Sequence, residues 1–185
     1  MPRIALYGRP GAGKSTFAAL LAQELAHTGA QALTLKVGAP LYELQAVIHA
    51  VAGCPLLDGG EQDGRLLNSL GTHLRRINPN ALTDVFIQRV RQAEQRRPDA
   101  VLVCDDVRAP DVAAVTGLGF VLVEVAADAA VRRERKAARG DLSAGDEHHA
   151  TEAAVAAVAW RRVENTGSLD SLRKQAAELA AEVLR

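Results

Sequence analysis

Eight residues near the start of the chain, Gly8-Arg-Pro-Gly-Ala-Gly-Lys-Ser15, constrain it more than any other feature. They follow a short apolar run, Arg3-Ile-Ala-Leu-Tyr7, which reads as a buried parallel strand, and they lead into a helical pattern over residues 14–27. Glycines at this spacing let the backbone curl so that successive N–H groups point inward at an anion. The helix that opens at the loop adds the positive end of its dipole and its unbonded N–H groups. Gly29 closes that helix, and residues 31–37 read as a second strand. Strand, loop, helix and strand form a βαβ unit whose crossover is expected to be right-handed.

The eight residues satisfy GxxxxGK[ST] in the strand-to-helix setting that gives the pattern its meaning, that of a P-loop for ATP phosphates. A glycine turn that matches by chance is the alternative, and the order of strand, loop and helix weighs against it. On this reading Gly8, Arg9, Pro10, Gly11, Ala12, Gly13, Lys14, Ser15 and Thr16 hold the ATP. Lys14 reaches the β- and γ-phosphates, and the Ser15 hydroxyl ligates Mg²⁺. The metal also calls for an acid at the end of a neighbouring strand. Asp105 and Asp106 follow the apolar run Val101-Leu-Val-Cys104, at the sheet edge where ligands bind in open α/β folds. Asp106 is the expected metal-side acid and Asp105 its alternative. A plain pair of surface acids would look the same.

Helical patterns occupy residues 41–52, 64–76 and 81–96, punctuated by Pro40, Pro55 and Pro79. Further strands are read at 100–104, 120–125 and, as a short edge strand, 161–164. Helices are read at 128–139 with Asp128 as N-cap, at 151–157, and at 169–184 with Ser168 as N-cap. Alternating strands and helices predict one α/β domain over 1–185, a P-loop NTPase fold with a central parallel sheet flanked by helices. Within it, about 40–98 is a helical substrate-binding insertion and about 132–150 a lid.

Formal net charge is zero, with 48% apolar and 24% charged residues, so nothing draws the chain to a nucleic acid polymer or an anionic membrane. No apolar run is long enough for a secretory signal or a membrane span, and a soluble, cytoplasmic protein is expected. Cys54 and Cys104 form no CxxC pair, and Cys104 reads as a small core hydrophobe. His148 and His149 are adjacent, without metal-ligand spacing, so no zinc site is expected. The apolar pattern at 41–52 fits core packing or a homodimer contact.

A switch GTPase would need NKxD, which is absent, and Leu142-Ser-Ala-Gly-Asp146 matches LSGGQ too loosely to indicate a transporter ATPase. Several segments, in order, resemble the deoxynucleoside monophosphate kinase family. They are Lys36-Val-Gly-Ala-Pro-Leu41, the helix Arg65-Leu-Leu-Asn-Ser-Leu-Gly-Thr-His-Leu-Arg-Arg76, Asn78-Pro-Asn80, Asp106-Val-Arg-Ala-Pro-Asp111 and His149-Ala-Thr-Glu152. Val163-Glu-Asn-Thr-Gly-Ser-Leu169 is similar to a turn shared with dephospho-coenzyme A kinase. Leu82, Ala109 and Asp111-Val112 depart from the family pattern near where a base or sugar would bind.

The resemblance implies an ATP-dependent kinase of a nucleoside monophosphate, a deoxynucleoside monophosphate being favoured, with Mg²⁺. Arginine forks suit paired phosphate oxygens, so Lys36, Arg65, Thr72, Arg75, Arg76 and Arg108 are the acceptor-side candidates, Arg108 the best placed. A solvated surface group is the alternative for each arginine, and for Arg65 the two readings weigh alike. On the basic helix, Arg132, Arg135 and Arg139 share a face while Arg133 points elsewhere. Arg132 and Arg135 are expected to reach the transferring phosphates from the lid. Residues 165–168 fit either an adenine border or a helix-capping turn.

A phosphate acceptor needs no general base, whereas an alcohol acceptor would call on Asp105 or Asp106. A kinase of another small metabolite and a non-catalytic ATP-binding regulator are the rival readings. An ATP sensor has no need of a second cluster of arginines.

Overall fold

The computed structural model describes residues 2–56, 61–138, 140–143, 155 and 157–185. Five parallel strands form its sheet: β1 (Arg3–Tyr7), β2 (Ala32–Leu35), β3 (Val101–Cys104), β4 (Val121–Ala126) and β5 (Arg161–Glu164), in the spatial order β2-β3-β1-β4-β5. The central strands β1 and β3 are buried on both faces, which is why they read as unbroken apolar runs rather than alternating ones. They pair with Ala5 opposite Cys104, so the segments leaving them emerge side by side at the carboxyl edge. This edge lies at the switch in strand order, where an open parallel sheet forms a crevice.

Helices cover both faces. On one, α1 (Lys14–His27) and α7 (Leu169–Val183) pack together, burying Phe17, Leu21 and Leu25 against Leu172, Ala176 and Leu179. On the other, α4 (Ala81–Arg96) lays Leu82, Phe86 and Val90 on the sheet, one residue per helical turn, and Phe86 meets the Phe120 ring at 5.7 Å between centroids. Each such fully buried side chain contributes about 1.5–3 kcal/mol. α2 (Ala39–Val51) and α3 (Gly64–Ile77) pack on one another outside this layer, so three helices occupy the stretch between β2 and β3. A 3₁₀ turn (Ala109–Asp111), α5 (Val112–Gly117) and α6 (Ala129–Ala138) complete the order.

The expected α/β architecture is the one the chain adopts, with three local differences. β2 stops at Leu35 instead of reaching residue 37, because the Asp106 carboxylate captures the N–H groups of Val37 and Gly38 at 2.8 and 2.9 Å and turns the chain there. The helix expected over 151–157 falls mostly outside the described residues, and Val155 and Ala157 are not helical. α2 leaves Leu44, Val47, Ile48 and Val51 exposed, and its one buried side chain is Gln45. Ser168 does cap α7, accepting from the Ser171 N–H, and β5 is an edge strand. Among the described residues no helix is long and apolar enough to cross a membrane.

Candidate active site

The loop between β1 and α1 is built from glycines that no other residue could replace in place. Gly8 has φ of 146° and Gly13 has φ of 90°, in the left-handed region that side chains avoid. A β-carbon at Gly8 would strike the Val125 carbonyl of β4, and one at Gly13 would strike the Asn165 side chain. The loop is therefore seated on its neighbours as well as curled. Lys14 folds over it, donating from Nζ to the Gly8 carbonyl at 2.7 Å and reaching the Arg9 carbonyl at 3.5 Å.

Two further elements brace the loop. Asn165, buried just after β5, donates from Nδ2 to the Ala12 carbonyl at 2.8 Å, and its Oδ1 accepts from Arg135 of α6 at 3.4 Å. The other terminal nitrogen of Arg135, Nη1, is buried beside Gly13 with no hydrogen-bond partner among the described residues. Arg132 donates to the Pro10 carbonyl at 3.4 Å, and its own carbonyl would sit 2.6 Å from a β-carbon at Gly11.

Facing the loop across a cleft of about 430 Å³ is the carboxyl end of β3. Lys36 donates to both Asp105 oxygens at 2.9 Å, and Asp105 is almost wholly buried. Burial works to lower the Lys36 pKa, but the hydrogen bond to Asp105 and the nearby acids outweigh it and raise it. Burial pushes the Asp106 carboxyl above its ordinary range, opposed by the N–H groups of Gly38 and Val37. Tyr42, at the first turn of α2, is raised by burial and by the Asp106 charge. Cys104 lies wholly inside the core, as its apolar run implied, and burial raises its thiol well above the usual value.

The cleft brings together many of the residues singled out from sequence. Pro10, Gly11, Gly13, Lys14, Ser15 and Thr16 line one wall, with Arg135 beside them, and Lys36, Asp105, Asp106 and Arg108 line the other. Gly8, Arg9 and Ala12 belong to the loop without lining the cleft, Ala12 being buried beneath it. The α3 residues stand apart. Arg75 is bound to the buried Asp111 at 2.8 Å, Arg65 and Arg76 are exposed, and Thr72 donates to the Asn68 carbonyl at 2.9 Å. None of these four lines the cleft: Arg75 is held by Asp111 of the 3₁₀ turn, and Arg65, Thr72 and Arg76 face solvent. Arg139, His148, His149 and Glu152 lie outside the described residues, as do residues 144–150 of the segment expected to form a lid.

Among the described residues, three that line the cleft escaped the sequence reading: Tyr42, Gln62 and Lys136. Tyr42 carried a usable signal, an aromatic residue one turn into the helix after the Lys36 segment. Gln62, between two helices, and Lys136, within the basic helix α6, carried none, since such polar residues look like solvated surface.

The donor set fits Mg-ATP. Lys14, the buried Arg135 Nη1 and the start of α1 supply positive charge and N–H groups at one wall. Mg²⁺ prefers a few hard oxygen ligands completed by water and phosphate, and the Ser15 hydroxyl and the two carboxylates are of that kind. No cluster of three or more His, Cys, Asp or Glu residues able to hold a metal occurs among the described residues.

Comparison with solved structures matches the fold over nearly the whole chain. TT1252 from Thermus thermophilus shares 26% identity over 98% of this chain and 97% of its own, with a TM-score of 0.54. Shikimate kinase from Acinetobacter baumannii, solved with shikimate, covers all of the chain and 93% of its own at 14% identity and a TM-score of 0.54. The APS kinase of Mycobacterium tuberculosis, solved with AMPPNP and APS, covers all of the chain and 99% of its own at 16% identity and a TM-score of 0.54. The fold is P-loop kinase-like. No family model and no curated protein matches the chain.

Proposed function

We propose that this chain is a Mg-ATP-dependent small-molecule kinase whose acceptor is a nucleoside monophosphate, a deoxynucleoside monophosphate being favoured. The observation that carries the reading is a single cleft with a phosphate loop on one wall and Lys36, Asp105, Asp106 and Arg108 on the other. An ATP-binding regulator would have use for the metal-side acid but not for the cations Lys36 and Arg108 on that second wall. The sequence resemblance supplies the nucleotide acceptor.

Bound Mg-ATP supplies the phosphoryl group and the metal charge that draws off electrons from it. The loop N–H groups and Lys14 hold the phosphates and offset their charge. The Ser15 hydroxyl and the Asp106 carboxylate are the protein ligands offered to the metal, with Asp105 orienting Lys36. Arg108 is the cation offered to the acceptor phosphate, in place of the α3 arginines. Arg135 adds a guanidinium at the loop, where charge spreads as the phosphoryl group moves.

A second reading has its own observation. Asp106 sits above its usual carboxylate range beside the Lys36–Asp105 pair, which suits proton acceptance from an alcohol. A dephospho-coenzyme A-like alcohol is the acceptor that reading names.

Release of ADP from Mg-ATP, measured against a panel of ribo- and deoxynucleoside monophosphates with dephospho-coenzyme A included, tests both. Stimulation by one or a few monophosphates is expected. Stimulation by the coenzyme precursor alone would replace the first reading with the second, and slow turnover indifferent to every acceptor would favour a binding protein.

A further inference from the structure

Two excursions of the chain that take no part in the sheet meet at the rim of the cleft. One is the segment that leads into and opens α3, residues 61–65; the other is the segment beyond α6, residues 142–143. They pair as short parallel strands would, with Asp63 opposite Ser143. The Leu142 N–H donates to the Gln62 carbonyl and the Gly64 N–H to the Ser143 carbonyl, each at 3.0 Å.

The Ser143 hydroxyl bridges the same junction. It accepts from the Arg65 N–H at 3.0 Å and donates to the Asp63 carboxylate, which in turn accepts from the Leu66 N–H at 3.1 Å. A helix leaves its first N–H groups without internal partners. In α3 the first three, those of Gly64, Arg65 and Leu66, are satisfied, and two of them by Ser143, a residue from the far side of the cleft. The cap of α3 is thus completed only when the segment beyond α6 is docked.

From the inner side, Gln45 of α2 holds the same turn. Its buried carboxamide donates to the Glu61 carbonyl and accepts from the Asp63 N–H, both at 2.9 Å. Residue 62, gripped on each side, is the one that lines the cleft. At the other end of this chain of contacts, α6 carries Arg135 and Lys136 on the cleft wall beside the phosphate loop.

We propose that Ser143 and Asp63 are positioning residues that transmit occupancy of the phosphate loop to the opposite wall, holding Gln62 in place against the acceptor. The inference rests on the nucleotide-binding reading above. Triphosphate on the loop fixes α6 through Arg135, the segment beyond α6 docks on the start of α3, and the acceptor wall is set. Ser143 acts through other groups and touches no reacting atom.

Hydrogen–deuterium exchange of the full chain, with and without Mg-AMPPNP, tests this apart from turnover. In the wild type, AMPPNP is expected to slow exchange at residues 8–16 and also at 64–67. In Ser143→Ala, exchange at 64–67 should be about five-fold faster, as befits the loss of one hydrogen bond. AMPPNP should no longer slow it, while residues 8–16 stay protected. Ser143→Thr, which keeps the hydroxyl, should behave as wild type. Far-ultraviolet circular dichroism checks that each variant is folded.

AMPPNP protection at 64–67 that survives in Ser143→Ala, or that fails to return in Ser143→Thr, overturns the role given to the hydroxyl. Protection at 8–16 with none at 64–67 in the wild type overturns the coupling and leaves the kinase reading standing. No protection at 8–16 overturns both.

Discussion

Arg75 Nη2 lies 2.8 Å from Asp111 Oδ1, and Asp111 is 2% exposed. This pair ties α3 to the 3₁₀ turn that follows Arg108, and it gives Arg75 a buried partner away from the residues that line the cleft. Removing one partner of a buried ion pair strands the other charge, at a cost of about 3–5 kcal/mol. Arg75→Ala is therefore expected to lower the urea midpoint sharply. Arg108→Ala, at a residue lining the cleft, should leave the midpoint near wild type and abolish acceptor-stimulated ADP release. Equal stability of the two variants would return Arg75 to the acceptor side.

Gly8→Ala and Gly13→Ala should each destroy the phosphate loop. Besides the strain of left-handed backbone, about 1–3 kcal/mol, the new methyl group meets the Val125 carbonyl or the Asn165 amide. Gly117→Ala, with open space around its β-carbon, is the control expected to stay near neutral. Fluorescent ATP-analogue binding separates them: lost for the first two and retained for the third.

Asn165→Ala leaves the Ala12 carbonyl without its donor beneath the loop, at a cost of about 1–3 kcal/mol. It also frees Arg135 from its Oδ1 contact. The expected result is a lowered melting temperature together with weaker AMPPNP binding, read by calorimetry. A loss of adenine selectivity with unchanged stability would point instead to a nucleobase contact.

Lys14→Ala should cut turnover by about 100-fold or more, since a cation at the transferring phosphates is worth several kcal/mol, with the fold intact by circular dichroism. Asp106→Asn is expected to weaken Mg²⁺-dependent turnover more than Asp105→Asn, in titrations of Mg²⁺ at saturating ATP. The opposite order would move the metal-side acid to Asp105.

The Ser143 hydroxyl, against partial burial and aided by the Leu66 N–H and His49, holds the Asp63 carboxyl below its ordinary 3.8. A depressed folded-state pKa contributes stability that is complete above 3.8 and is lost as pH falls through the lowered value. Urea unfolding from about pH 5 to about pH 2.5 should show wild-type stability falling more steeply below 3.8 than that of Ser143→Ala. Parallel curves would show that the hydroxyl does not set this titration.

Much of this molecule was legible in its local patterns. Unbroken apolar runs at β1 and β3 announced central parallel strands, and the glycine spacing announced a phosphate loop. Both depend on residues close in sequence, where the backbone's own geometry selects the outcome. Asp105 and Asp106 could also be assigned to the sheet edge, because a strand's end defines which edge its next residues occupy.

The α3 arginines show where such reasoning stops. Arg65, Thr72, Arg75 and Arg76 lie on one helix with a charged face, and no spacing rule says whether that face meets the cleft, solvent or Asp111. That depends on how α3 packs on α2 and α4, a long-range outcome of apolar contacts. The extent of β2 was likewise decided at a distance, by the Asp106 carboxylate taking the Val37 and Gly38 N–H groups.

By itself, then, the sequence determined a parallel α/β domain with an ATP-type phosphate loop, since periodicity and glycine placement are properties of contiguous residues. The tertiary structure alone decided which charges share the cleft, that Asn165 and Arg135 brace the loop, and that Ser143 completes the cap of α3. Those contacts join residues far apart in the chain, and only the packing of helices on both faces of the sheet brings their side chains within hydrogen-bonding reach.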